Sequence, residues 1–127
     1  MNNKKEIREL TKAEEEIMQQ LWVLKNAFVK EIIEELPDPK PAYNTVSTVI
    51  RILETKGFVG HESFGKSHRY FPLIEKEEYI SFATEKLVSS YFNSSPTSML
   101  SFFLEKEKLD VKEIDEILKI IDKAKKK

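Results

Sequence analysis

A chain of 127 residues has room for one domain, or for one domain and a small extension. It is 40% hydrophobic and 34% charged, with a formal net charge of −1 and no cysteine, which excludes disulfides, thiolate metal sites and cysteine nucleophiles. No apolar run is long enough to span a bilayer, and the lysines of Met1-Asn2-Asn3-Lys4-Lys5 precede no apolar stretch of the kind a secretory signal needs. The expectation is a cytoplasmic protein without membrane insertion.

Thr11-Lys12-Ala13-Glu14 is a capping box, and the helix it opens carries Ile17, Met18, Leu21, Trp22 and Leu24 at helical spacing until about Asn26. A short second helix is expected near Phe28 to Leu36, with Val29, Ile32, Ile33 and Leu36 on one stripe. Pro37, Pro39 and Pro41 stop it. A third runs from about Tyr43 to Lys56, with Gly57 as its C-cap and Val46, Val49, Ile50 and Leu53 as its apolar stripe. Its other face reads Asn44, Thr45, Ser47, Thr48, Arg51 and Thr55, hydroxyls and an amide where a solvated helix usually carries Glu and Lys.

The period then changes. Phe58 to Glu62 and His68 to Pro72 read as two strands joined by the turn Phe64-Gly65-Lys66-Ser67. Three helices followed by a hairpin is the order of a winged helix-turn-helix, in which the third helix enters the major groove and the hairpin is the wing. The expected fold class is therefore mostly α with a small β-hairpin.

After Pro72 the chain is helical again, from Glu75 to about Asn93, from Ser98 to about Lys106, and from a cap at Asp110 to the lysines at the C-terminus. Phe82, Tyr91, Leu100, Phe103, Ile114, Ile117 and Ile121 are too many apolar side chains for an exposed extension. The expected division is a winged-helix domain over 1–73 and a helical dimerisation region over 74–127, with a second copy of the chain as partner. Between Pro37 and Leu73 the bases Lys40, Arg51, Lys56, Lys66 and Arg69 outnumber the acids Asp38, Glu54 and Glu62, so this segment is positive although the whole chain is not.

Asn44, Thr45, Ser47 and Thr48 are the candidate base readers, since Asn pairs with adenine and Thr meets the thymine methyl. The competing account is an N-cap and a polar solvated face. Tyr43 and Arg51 flank these residues, and Thr11 and Lys12 at the start of the first helix complete the candidate DNA-contacting set. Lys66, His68 and Arg69 are candidate phosphate contacts from the wing, or an ordinary charged hairpin. His61 and His68 lack a third ligand at metal spacing and read as surface histidines. Trp22, Tyr70 and Phe71 read as core rather than as a ligand cage. No phosphate loop, HExxH or GxSxG is present, and the acids Glu14-Glu15-Glu16 and Glu34-Glu35 read as solvated helix faces. Neither an enzyme nor a cofactor is expected.

Over nearly its whole length the chain resembles the penicillinase repressor family. Leu10-Thr11-Lys12-Ala13-Glu14-Glu15-Glu16-Ile17-Met18 with Leu21-Trp22 is similar to the family's opening helix, and Tyr43 through Val59 to its recognition helix and first wing strand. Tyr91-Phe92-Asn93, Ser98-Met99-Leu100 and Phe103-Leu104-Glu105 look like its dimerisation region. The resemblance implies a homodimeric repressor that occludes a promoter from a pseudo-palindromic operator in double-stranded DNA. It also implies a membrane sensor protease as a further partner, which would cut the repressor between Phe102 and Phe103. Phe102 stands where the family has Asn. The family's copper-responsive branch uses C-terminal cysteines, which this chain lacks. The alternatives are release by a small-molecule ligand and a winged-helix module that binds no DNA.

Overall fold

The computed structural model describes residues 6–126; Met1 to Lys5, read above for a secretory signal, and Lys127 lie outside them. The elements run α1 (Lys12–Leu24), β1 (Ala27–Phe28), α2 (Val29–Glu35), α3 (Tyr43–Thr55), β2 (Val59–Phe64), β3 (Ser67–Pro72), α4 (Lys76–Tyr91), α5 (Pro96–Lys106) and α6 (Val111–Lys125). The fold class expected from the sequence is the one observed, with one addition. The hairpin is the larger part of a three-stranded antiparallel sheet of order β1-β3-β2, in which Ala27 faces Tyr70 and Phe28 faces Arg69.

The chain divides into two compact units, one ending at Ala83 and the other beginning at Thr84. In the first, Met18, Leu21, Ile32, Ile50, Leu53, Phe58 and Val59 are buried, so α1, α2, α3 and the start of the first wing strand converge on one core. The boundary lies later than Leu73 because the start of α4 is tied into this core. Tyr79 is buried against Phe58 at 5.8 Å between ring centroids, and its hydroxyl accepts the Leu10 N–H at 3.0 Å. Phe82, counted from sequence with the dimerisation residues, packs partly buried on the same core, 5.7 Å from Tyr79. Trp22 and Tyr70 are core side chains too, and the Trp22 indole N–H donates to the Ile74 carbonyl at 2.9 Å.

The capping box at Thr11 forms as expected. The Thr11 hydroxyl accepts the Glu14 N–H at 3.2 Å and the Glu14 carboxylate accepts the Thr11 N–H at 2.8 Å. The same carboxylate also takes the Lys56 ammonium at 2.8 Å. Glu14 is only 4% exposed, which corrects its reading as part of a solvated face. Its neighbours Glu15 and Glu16 are exposed as expected. Burial pushes the Glu14 carboxyl up, but the Lys56 ammonium and the Thr11 amide outweigh it and hold the group below the ordinary carboxylate range. α1 ends at Leu24, short of Asn26, because Lys25 takes a left-handed φ of 72° and closes the helix on Leu21.

Lys56→Met leaves a buried carboxylate without its cation, and the expected loss is about 2 kcal/mol at neutral pH, less than for a fully buried pair because Lys56 is partly in water. A group with a depressed folded pKa stabilises above its unfolded pKa and loses that contribution as pH falls through the folded value. The gap between wild type and variant should therefore shrink below the carboxylate range, as urea melts at neutral and acidic pH would show.

Candidate nucleic-acid interface

α3 buries Val46, Ile50 and Leu53 and turns Tyr43, Asn44, Thr45, Thr48, Arg51 and Thr55 to solvent. Ser47 is one of the candidate base readers, but at 100° per residue it falls about 60° from Ile50, at the margin of the apolar stripe, and is buried. The exposed face carries one cation and no free carboxylate. The helix's only acid, Glu54, is half-buried and meets His61 Nδ1. The N-cap is Ala42, which has no side chain to accept a hydrogen bond, so the first-turn N–H groups and the positive end of the helix dipole stay open to an external anion. Of the competing account, the side-chain N-cap is thereby removed and the polar solvated face is left. Thr48 and Thr55 donate their hydroxyl protons back to the carbonyls of Asn44 and Arg51, at 2.9 and 3.0 Å. They thus offer a methyl and an oxygen lone pair outward rather than a donor.

The wing is β2 and β3 paired from Val59–Pro72 to Phe64–Ser67, so its turn is the two residues Gly65 and Lys66. Gly65 sits at φ +63°, the left-handed first position that a tight hairpin of this kind requires. Lys66 and His68 are exposed on the wing, while Arg69 is half-buried with its guanidinium 4.7 Å over the Phe64 ring. His68 stacks on His61 with ring centroids 4.1 Å apart and planes 6° from parallel. Among the described residues no group of three or more His, Cys, Asp or Glu is arranged to hold a metal. Thr11 and Lys12 are not brought to the start of α3. They lie beside Glu14, which meets Lys56 at the other end of that helix, ~20 Å along its axis from Tyr43.

In the second unit α5 and α6 bury no residue. Tyr91, Leu100, Phe102, Phe103, Ile114 and Ile121 are all exposed by 40% or more, whereas Ile117 is half-buried. Ser95 caps α5 by accepting the Ser98 N–H, with Pro96 behind it, and Asp110 caps α6 in a full capping box with Glu113. These helices are well specified at their ends yet apolar on their surfaces.

The profile of the penicillinase repressor family matches residues 10–123, almost the whole of both units. The chain belongs to the penicillinase repressor family. It is 29% identical to the penicillinase repressor of Bacillus licheniformis over 122 residues, 95% of each chain. It is 31% identical to the methicillin resistance regulatory protein MecI of Staphylococcus aureus (strain N315) over 116 residues, 91% of this chain and 94% of that one. Among solved structures, the solution structure of the DNA binding domain of the repressor BlaI aligns with a TM-score of 0.51 at 28% identity, covering 60% of this chain and 94% of the domain.

This repressor-family chain carries three interface features that sequence reasoning missed. β1 is two residues long, too short for any period to reveal. Phe28, which ends it, packs edge-on against Phe64 of the wing at 5.8 Å. The Glu54–His61 contact ties the first wing strand to α3, and nothing in their spacing announces it. Among the described residues no helix is long and apolar enough to cross a membrane.

Because Gly65 is held at positive φ, Gly65→Ala should destabilise the protein by about 1–2 kcal/mol even though nothing lies within 4 Å of the added Cβ. Gly65→Asn should cost less, since Asn tolerates the left-handed region. Thermal melts of the two variants, ranked in that order, check it.

Proposed function

We propose that the protein is a homodimeric repressor that reads a pseudo-palindromic operator with α3, grips the flanking backbone with the wing, and silences a promoter by occluding polymerase. The observation that carries this reading is the exposed face of α3: polar apart from Ile52, acid-free and without a side-chain cap at its N-terminus, on a helix whose opposite face is locked into the core. The relatives' names fit it, one a penicillinase repressor and another a regulator of methicillin resistance, and the aligned solved domain is described as DNA-binding. Resistance genes are the corresponding targets, and the cytoplasm the corresponding location. A repressor acts by binding, and no step here calls for a catalyst.

Dimerisation through the second unit is supported by the apolar surface of α5 and α6, which nothing in their own chain buries. Release by proteolysis follows from the family resemblance at Phe102–Phe103. Both side chains are about half exposed in the single chain, and pairing of the helices would cover them, so cleavage would need local opening. One cut there leaves the last helix attached by noncovalent contacts alone, and the effective concentration of the second reading head falls with dimer stability. Co-expression with a candidate sensor, followed by mass mapping of fragments, tests this; intact repressor with full derepression would assign release to a ligand instead.

The reading of α3 is tested by selecting bound sequences from random duplexes and measuring variants on the winner. Thr48→Ala should cost ~1–3 kcal/mol there and relax the preference at one base pair. Thr48→Val should keep most of the affinity, because the hydroxyl proton is already spent within the helix and the methyl remains. Equal losses on selected and random DNA would refute base reading by this face.

The pairing is tested by Phe103→Glu and Ile121→Glu, both on exposed positions where the single chain loses no core. Light scattering should show a dimer for wild type and monomers for the variants, with the far-ultraviolet helical signal of the first unit retained. A wild-type monomer at micromolar concentration would overturn dimerisation.

A further inference from the structure

β1 covers the outer edge of β3 only at Arg69 and Tyr70, so the edge runs on uncovered at Ser67 and His68. Beside that open edge lies a cleft of about 430 Å³, bounded by the start of α2, by Tyr43 and by the wing residues Phe64, Ser67 and His68. Its floor is aromatic: Phe28 and Phe64 meet edge to face, and Phe64 is held from another side by the Arg69 guanidinium. Lys30, Tyr43, Ser67 and His68 also line it, residues that carry an ammonium, two hydroxyls and an imidazole. The one acid on the rim, Glu31, is turned back to accept the Phe28 N–H at 2.8 Å.

We propose that this cleft seats one sugar and phosphate of the DNA backbone, with the deoxyribose on Phe28 and Phe64 and the phosphate held by Lys30, Tyr43 and Ser67. The inference rests on the DNA-binding reading above and adds to it a contact from α2 that recognises no sequence. Two observations favour the backbone over a small organic ligand. The cleft begins at Tyr43, the first residue of α3, so it is continuous with the face proposed to read bases. It is also open, with Tyr43 50% and Phe64 46% exposed, whereas sites for drug-sized molecules bury most of the ligand surface. Donors ringing an apolar floor match a phosphate joined to a sugar, and hydroxyl and ammonium donors are what protein–DNA backbone contacts use. An exposed strand edge otherwise invites pairing with another chain, and a bound polyanion covers it.

The experiment uses the full chain and a short fluorescent duplex of random sequence, with anisotropy read across a salt series. Removing one phosphate contact makes the slope of log K against log salt shallower by about 0.9. Lys30→Ala should show that change and weaken binding severalfold, equally on random and selected duplexes. Glu31→Gln should tighten binding severalfold, since it deletes a rim charge and keeps the acceptor for Phe28. A scan with single neutral methylphosphonates should find one position that weakens wild type and leaves Lys30→Ala unaffected, the signature of a direct pair. Both residues are exposed, so melts should show folded variants. Wild-type affinity and slope in both variants, alongside weakened binding by Lys66→Ala, would overturn the cleft and leave the wing contacts standing. A folded wild-type chain that binds no duplex at low salt would overturn the DNA-binding reading and this seat together.

Discussion

The Glu14–Lys56 contact is the constraint on which the geometry of the first unit turns. One carboxylate closes the N-terminus of α1 and takes the cation that follows the last turn of α3. A capping box alone fixes where a helix starts; here it also fixes where another helix ends. The pair is nearly out of water on the Glu14 side, where an uncompensated charge is costly, so the two helix ends are held by the penalty for separating them as much as by their attraction. Every residue on the exposed face of α3 inherits its position from that registration and from the apolar contacts of Val46, Ile50 and Leu53.

A second tie acts beside the first, at Leu10 and Phe58. Tyr79 belongs to α4, yet its ring packs on Phe58 and its hydroxyl takes the Leu10 N–H just ahead of α1. A buried amide without an acceptor would cost on the order of 1–3 kcal/mol, so the chain entering the first helix is committed to the helix that follows the wing. Sequence distance hides this, because the two residues are 69 positions apart.

Much of the architecture is legible in the sequence, and the reasons are local. The Thr11–Glu14 box, the proline cluster after Leu36, the helical stripe of α3 and the glycines of the hairpin each fix one boundary through short-range chemistry. What escaped was set by tertiary contact. Glu14 looks like one of three surface acids until Lys56 is placed beside it. Ser47 looks polar and therefore outward, but it sits about 60° round the helix from Ile50, at the margin of the stripe that the core covers. Phe82 reads as one of a row of apolar residues in a helix, and only the packing of Tyr79 shows which way it turns. The candidate interface was legible where it lies on one helix and illegible where β1, α2 and the wing meet.

The C-terminal helices carry a further consequence. Their caps specify where they begin, but neither α5 nor α6 has an interior of its own. Isolated helices of this length are marginal in water, so in the proposed homodimer their folded fraction would depend on the partner's covering surface, and so on concentration. Such a dimer would sense its own abundance: when dilution or slowed synthesis lowers the number of chains per cell, order in this half would be lost more steeply than molecules.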